Sequence, residues 1–388
     1  MMTAAEKSCK YAKKCGACQL ANMSYEKQLS FKMAKEIKLL GRFCKVHEII
    51  GMDEPFFYRN KSQYAFGVYR GKTVAGVYQS STHNIVDIDS CLLTDKKADE
   101  IFTVVKKLLK SFKLKPYDEK TGIGFLRHLL VKTAFKSGET MVVLVTATRE
   151  FPKKRSFINA LVKNCPYITT IVQNVNSKFT AMVLGDKSEV LYGDGKITES
   201  LCGMKFRISP KAFYQINPVQ TEILYGKALE FADFNGTEEI IDAYCGTGTI
   251  GLIASGKVKS VMGVEINKDA VKDAKENAAL NGVRNISFYA ADAGKFMTEL
   301  ASAGKKIDAV IMDPARAGAD MTFLSSLVKL SPQKVIYVSC NPETLARDLA
   351  YLTKNGYKVR KIQPVDMFPH TEHIETVVLL TKKEINRE

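Results

Sequence analysis

The chain predicts an α/β protein in two parts, a doubly wound parallel sheet over residues 205–388 preceded by an α+β domain over residues 1–204. Three observations carry this expectation. From about residue 220, apolar strand-like runs alternate regularly with helical stretches, which is the texture of a parallel sheet covered on both faces. Before that point helices and strands mix without an internal repeat. The charge divides at nearly the same place: Lys and Arg face Asp and Glu by 33 to 19 in residues 1–200, but by 24 to 22 in the remainder. With 388 residues and 46% hydrophobic content, there is material for two cores.

The elements follow in order. Residues 24–40 read as an amphipathic helix with Leu29, Met33 and Ile37 at spacing four and Gly41 as its stop. Residues 55–90 read as short strands and turns rich in Tyr, Phe, Lys and Arg. A second helix fits 96–112, where Ile101, Val104, Val105, Leu108, Leu109 and Phe112 form one stripe, and strands follow at 125–135, 141–147 and 168–175. In the second half, strands are expected at 240–244, 261–266, 286–292, 309–314 and 334–340, each followed by a helix. Those helices include 249–255, 268–281 and 343–352. The last two strands, 357–365 and 373–382, have no clear helix between them and should add an antiparallel edge.

Composition narrows the function. No run approaches the ~18 apolar residues of a membrane span, and the N-terminus lacks the apolar core of a secretory signal. A cytoplasmic protein without a membrane partner is expected. Nine cysteines, an odd number, argue against a disulfide framework; Cys44, Cys165 and Cys202 read as small core residues. The basic first half suits a polyanion, with nucleic acid favoured over a merely solvated basic face.

The first turn of the second half runs Asp242-Ala-Tyr-Cys-Gly246-Thr-Gly248-Thr-Ile-Gly251. In a doubly wound sheet, ligands bind at the carboxyl ends of the strands, where glycines and a free helix N-terminus let a ligand approach the backbone. Glu265, ending the next strand, can accept both ribose hydroxyls. The same spacing fits the dinucleotide fingerprint, so an NAD-dependent oxidoreductase is a competing reading. Two carboxylates favour S-adenosylmethionine instead: Asp242 for the methionine end and Asp292, ending the third strand, for the adenine amine.

Chemistry-bearing motifs lie beyond this turn. The fourth strand ends in Asp313-Pro314-Ala315-Arg316, the fifth in Ser339-Cys340-Asn341-Pro342, and a late His373-Ile374-Glu375 follows. Each alone reads blandly, as a structural turn, a core cysteine and a surface glutamate. Their joint placement at one sheet edge points to a nucleophile and a base.

In the order and spacing of these motifs the chain resembles the RNA uracil-C5 methyltransferases, which carry a DPPR-like motif, an SCNP motif and a late H-x-E. Ala315 stands where the second proline of DPPR is usual. The resemblance implies a Rossmann-like class I methyltransferase domain with Cys340 as nucleophile and Glu375 as base. It places Gln215 (in FYQIN), Tyr244, Gly246, Gly248, Thr249, Glu265, Asp292 and Asp313 around S-adenosylmethionine, with Arg316 orienting the uracil or its phosphate. Carbon 5 of uracil is a weak nucleophile. Thiolate addition at carbon 6 makes the ring an enolate that takes the methyl group, and a base then removes the carbon 5 proton. A base that must leave its stack is cheapest to reach in a single-stranded loop. Arg59, Lys61 and Arg127, interleaved with Tyr58 and Tyr64, are the expected RNA contacts of the basic half.

Cys9, Cys15 and Cys18 stand in C-x5-C-G-x-C, with Cys91 downstream. By residue type this set suits zinc or an iron–sulfur cluster, although it lacks paired C-x2-C knuckles. The resemblance implies a [4Fe–4S] cluster. It also implies the form without the N-terminal OB-like TRAM domain, because the cysteines come almost at once. That form is found among enzymes of ribosomal RNA, so a uridine in 23S rRNA is the expected target. The same reaction on the T-loop of tRNA is the neighbouring alternative. An iron–sulfur NAD-dependent oxidoreductase leaves Cys340 and Glu375 without work, and a non-catalytic RNA-binding protein has no use for the pair.

Overall fold

The computed structural model describes residues 9–383 and contains two seven-stranded sheets and a hairpin. The first sheet is mixed, in the order β3-β2-β1-β4-β5-β6-β7. Its strands are β1 (Lys61–Tyr69), β2 (Lys72–Tyr78), β3 (Ile85–Asp87), β4 (Leu126–Thr133), β5 (Thr140–Thr146), β6 (Thr170–Val175) and β7 (Lys187–Tyr192). Only β5 and β6 run parallel, and their crossover carries α4 (Lys154–Asn164). Together α4 and α3 (Lys96–Ser111) cover one face through Ile101, Phe102, Val105, Phe157 and Leu161.

The second sheet has the order β12-β11-β10-β13-β14-β16-β15. Strands β10 (Glu239–Ala243), β11 (Ser260–Glu265), β12 (Ile286–Ala290), β13 (Ala309–Met312) and β14 (Lys334–Ser339) are parallel. The expected antiparallel edge is present as β15 (Tyr357–Val365) and β16 (Glu375–Lys382), with β16 inserted between β14 and β15. Helices α5 (Pro218–Ala232), α6 (Thr249–Ser255) and α7 (Lys268–Leu280) cover one face. Helices α8 (Ala293–Ser302), α9 (Met321–Leu330) and α10 (Pro342–Lys354) cover the other. Central strands are buried on both faces, so they read as continuous apolar runs.

The two sheets share a core. The second face of the first sheet, with Leu130, Met141, Val143 and Val172, joins a cluster that includes Leu224, Ala228, Ile250 and Val338. The hairpin of β8 (Ile197–Leu201) and β9 (Met204–Ile208) lies between them and pairs Leu201 with Met204 across its turn. The division expected at 204/205 therefore falls at the first residue of β9. The chain also crosses early. Helix α2 (Tyr25–Leu40) lies against α10, and Val46 and Ile50 bridge to Ile362 and Val365 beside the outer strand of the second sheet.

The buried face of α2 differs from the one its apolar periodicity predicts. Gln28, Lys32, Glu36 and Leu40 face inward, while Ile37 is 53% exposed. The helix follows α1 (Ala12–Cys15) and is capped by the Ser24 hydroxyl, which accepts from the Lys27 N–H. No helix among the described residues is long and apolar enough to cross a membrane.

Candidate active site

The strand registers bring the motifs to one line. Ala243 lies beside Val264 and Met312, Met312 beside Tyr337, and Glu265 beside Ala290. Residues at the ends of these strands, namely Tyr244, Glu265, Asp292, Asp313 and Cys340, thus emerge along one edge of the sheet. Strand β16 runs the opposite way and pairs Thr376 with Ser339, so Glu375 begins where Cys340 ends. The fifth-strand motif and the late H-x-E meet through this single inserted antiparallel strand.

The cofactor side of the edge is built on the glycine turn. Tyr244 adopts a left-handed conformation (φ 61°), a costly geometry for a non-glycine residue, and packs on Phe323 at 5.0 Å between ring centres. Gly248 (φ 79°) caps α6, and a Cβ there would lie 2.7 Å from the ring of Phe288. Thr249 opens α6 with its hydroxyl 3.4 Å from that of Thr247. Glu265 accepts from the N–H groups of Gly246 (3.1 Å) and Asn267 (2.8 Å), which orients its carboxylate at the mouth of the turn. Asp292 caps α8 by accepting from the Lys295 N–H at 2.9 Å, so it serves the helix as well as the edge. Asp242 is buried, and its carboxyl accepts from the Gly251 N–H at 2.8 Å, which braces the glycine turn.

Farther along the edge is a group of carboxyls around a thiol. Burial pushes Asp313 up to about 7. Burial, and then the charge of Asp313, push Glu375 well above the usual carboxylate range, and its Oε2 is buried without a hydrogen-bond partner. Cys340 is pushed up to about 11 by burial, then by Glu375 and Asp313, with Arg316 pulling it down. Arg316 is exposed, and its carbonyl accepts from Asn341 Nδ2 (3.1 Å) and Thr344 Oγ1 (3.2 Å). The turn that has Ala315 in place of a second proline is held by other means. Gly318 N–H donates to the Ala315 carbonyl at 2.8 Å, and Asp348 accepts from the Ala319 N–H at 2.9 Å.

Gln215 is buried just before α5, its side chain bonded to the Tyr225 hydroxyl and its carbonyl accepting from Asn60 Nδ2 at 3.0 Å. Lys61 lines a narrow cleft with Asn60, Lys132 and Tyr214, which carries the basic half to the neighbourhood of Gln215. Lys132 was missed in sequence. It is buried, donates to the carbonyls of Ser209 (2.8 Å) and Ala212 (2.9 Å), and is pushed down to about 7 by burial and then by Lys61. Phe213, also missed, is 69% exposed two residues before Gln215; an aromatic left in water beside a buried polar residue was the available signal.

Arg127 lies away from this group. It is buried under the Tyr117 ring, with one guanidinium nitrogen donating to the carbonyls of Asn176 and Lys178 at 2.7 Å each. Its role is to tie a loop to β4, a correction to its expected place on an RNA surface. Arg59 is half-buried. It sits beside Cys18 and Cys91, with its Nε buried and unpartnered.

The cysteine segment is drawn to Cys91 by Tyr11, whose hydroxyl donates to Asp89 Oδ2 (3.0 Å) and accepts from the Asp89 N–H (3.1 Å). Cys15 and Cys18 each feel the charges of Cys91 and Cys9, and Cys18 is pushed up to about 12, by burial first. Among the described residues, no three His, Cys, Asp or Glu side chains are gathered tightly enough to hold a single metal ion. The donor set still suits a cluster. Cys15 and Cys18 lie within charge range of Cys9 and Cys91. Arg59, bonded to the Tyr58 side chain but with its Nε unpartnered, sits beside Cys18 and Cys91, where the negative charge of four thiolates on iron would act on it.

A family model described as tRNA (uracil-5-)-methyltransferase matches residues 188–383. An uncharacterized RNA methyltransferase of Clostridium tetani is 46% identical over 97% of this chain and 83% of its own length. One of Halalkalibacterium halodurans is 43% identical over 97% and 84%. Among solved structures, the Pyrococcus abyssi tRNA (uracil-54, C5)-methyltransferase in complex with S-adenosyl-L-homocysteine superposes with a TM-score of 0.80 at 29% identity, covering 94% of this chain and 86% of that one. With whole-length relatives at this identity and the family model spanning its second half, the chain belongs to the RNA (uracil-5-)-methyltransferase family and is an S-adenosylmethionine-dependent enzyme.

Proposed function

We propose that the enzyme methylates carbon 5 of a uridine in 23S rRNA, with Cys340 as nucleophile and Glu375 as base. The observation that carries this reading is the pairing of Ser339 with Thr376, which sets a thiol and a buried carboxyl side by side at the open edge of the sheet. S-adenosylmethionine supplies the methyl group, held by Gln215, Tyr244, Gly246, Gly248, Thr249, Glu265, Asp292 and Asp313. Cys340, in its thiolate form after losing its proton to solvent, bonds carbon 6 of the uracil, and the electron pair moves through the ring so that carbon 5 takes the methyl. The bond from that methyl to the sulfonium sulfur breaks, its electron pair leaving with the thioether S-adenosylhomocysteine. Glu375 then receives the carbon 5 proton, the carbon 5–carbon 6 double bond reforms, and the thiolate leaves. Burial and the neighbouring Asp313 charge raise the proton affinity of Glu375 above that of an exposed carboxylate, which makes it a stronger base for this step. In this reading Arg316 orients the uracil or its phosphate, Lys61 contacts the RNA backbone, and the exposed Phe213 ring offers a face on which a flipped-out base stacks.

Cys9, Cys15, Cys18 and Cys91 would hold a [4Fe–4S] cluster, which supplies cross-linking of the N-terminal segment rather than a redox step. Iron and acid-labile sulfide in anaerobically prepared protein are the expected finding, and their absence would remove the cluster from this account. The cysteine set, through the family resemblance, supports ribosomal RNA as substrate. The tRNA reading is favoured instead by the description of the matching family model and by the Pyrococcus relative. Labelled S-adenosylmethionine with unmodified 23S rRNA and unmodified tRNA, followed by mapping of the labelled nucleotide, separates the two. Label as 5-methyluridine in rRNA is expected; label in tRNA alone would move the substrate assignment.

A further inference from the structure

Nine residues join β15 to β16, from Asp366 to Ile374, and the segment they form delivers Glu375 to the edge. Helix α5 holds its start, with Asn217 Nδ2 donating to the Met367 carbonyl (3.0 Å) and Gln220 Nε2 to the Asp366 carbonyl (3.0 Å), and α2 holds the rest. Lys32 forms a fully buried ion pair with Asp366 (2.6 Å) and donates to the Phe368 carbonyl (3.1 Å). Gln28 Oε1 accepts from the His370 N–H (2.8 Å), while its Nε2 lies 3.2 Å from His370 Nδ1. Glu36 accepts from the Thr376 hydroxyl at 2.9 Å, immediately past Glu375. These three residues recur at spacing four, so they form one stripe of α2. The helix turns this polar stripe inward and leaves Ile37 in water. Burying an ion pair and an amide carries a desolvation cost that apolar residues would avoid, and the groups that compensate it here belong to the Glu375 loop. The cysteine segment holds the same loop: Leu20 N–H donates to the His370 carbonyl (3.1 Å), and Tyr58 donates to the Pro369 carbonyl (3.1 Å).

We propose that Gln28, Lys32 and Glu36 are positioning residues that seat the loop carrying Glu375, and so govern proton removal from carbon 5 but not thiol addition. Cys340 has supports of its own besides the Ser339–Thr376 pairing, namely strand β14 and the Ser339 hydroxyl, which bonds the Asn341 backbone. The proposal rests on the assignment of Glu375 as the base. Loosening the seat leaves sulfur–carbon 6 bond formation and methyl transfer intact. It slows movement of the carbon 5 proton to the carboxylate, and with it the release of the Cys340 sulfur.

The test uses the full-length enzyme with S-adenosylmethionine and two RNAs. On 5-fluorouridine RNA, which has no carbon 5 proton, the rate of covalent complex formation reads addition and methyl transfer. On uridine RNA, the steady-state fraction of covalent complex reads the release step. Gln28→Met is expected to keep the first within about twofold of wild type and to raise the second about fivefold or more. A helix that merely stabilised the fold would lower both together. Lys32→Met combined with Asp366→Leu, which replaces the buried pair by apolar groups of similar size, gives the same reading should Gln28→Met not fold. Both values falling in parallel, or an unchanged covalent fraction, would overturn the proposal. Glu375→Gln is the control: if it fails to accumulate complex on uridine RNA, the base assignment falls and takes the proposal with it. If Glu375→Gln accumulates complex and the α2 variants do not, the positioning role alone is wrong.

Discussion

Cys340 and the charges around it give the reaction its pH behaviour. The thiol is raised by burial and by two carboxyls and lowered by Arg316, so at neutral pH it is held as the thiol and only a small fraction is the reactive thiolate. Replacing Arg316 by Gln removes the positive charge that lowers it. Iodoacetamide should then alkylate Cys340 at pH 8 about twofold or more slowly, read by peptide mass, because the loss of a nearby cation disfavours the thiolate. An unchanged rate would show that Arg316 does not act on the thiol. Gly248 carries a second residue-scale prediction. A Cβ at its positive φ meets the Phe288 ring at 2.7 Å, so Gly248→Ala should lose about 1–3 kcal/mol of stability through strain and overlap and weaken S-adenosylmethionine binding by calorimetry.

At the scale of elements, α2 makes its own pH signature. Burial pushes Glu36 up to about 7, above its ordinary 4.5. A carboxyl raised on folding contributes stability that is complete below pH of about 4.5 and is lost as pH rises through about 7. Glu36→Gln should therefore flatten the decline in melting temperature between pH 5 and 8, and a decline as steep as that of the wild type would contradict the burial of its charge. This helix also shows how far the sequence can be read. Its span was legible from Gly41 and a period near four, but its orientation was not. The period of Gln28, Lys32 and Glu36 equals that of Leu29, Met33 and Ile37, and the usual rule puts polar residues outward. Helix α5 was not legible because it is packed on several sides, so its apolar residues surround it and leave no stripe. The strands of the second sheet were legible because apolar runs ending in Glu265, Asp313 or Cys340 are what a doubly buried parallel strand must look like. Arg127 misled because an arginine among strand residues signals solvent, and here a ring and two backbone carbonyls replace the water.

Across the whole molecule, charge and mechanism are divided between the sheets and rejoined at one edge. The chain carries a formal net charge of +16, concentrated in its first half, so RNA affinity should fall about tenfold or more between 50 and 200 mM salt as counterions are released. Affinity insensitive to salt would detach the basic half from RNA binding. The shared core fixes that half to the second sheet, and α2 with the cysteine segment reaches across to the Glu375 loop. The most direct test of the central claim is a peptide map of the complex formed with S-adenosylmethionine and 5-fluorouridine RNA. The account predicts a methylated nucleotide attached through Cys340 and no complex from Cys340→Ala. A complex through another residue, or none from the wild-type enzyme on an RNA that it methylates as uridine, would contradict it.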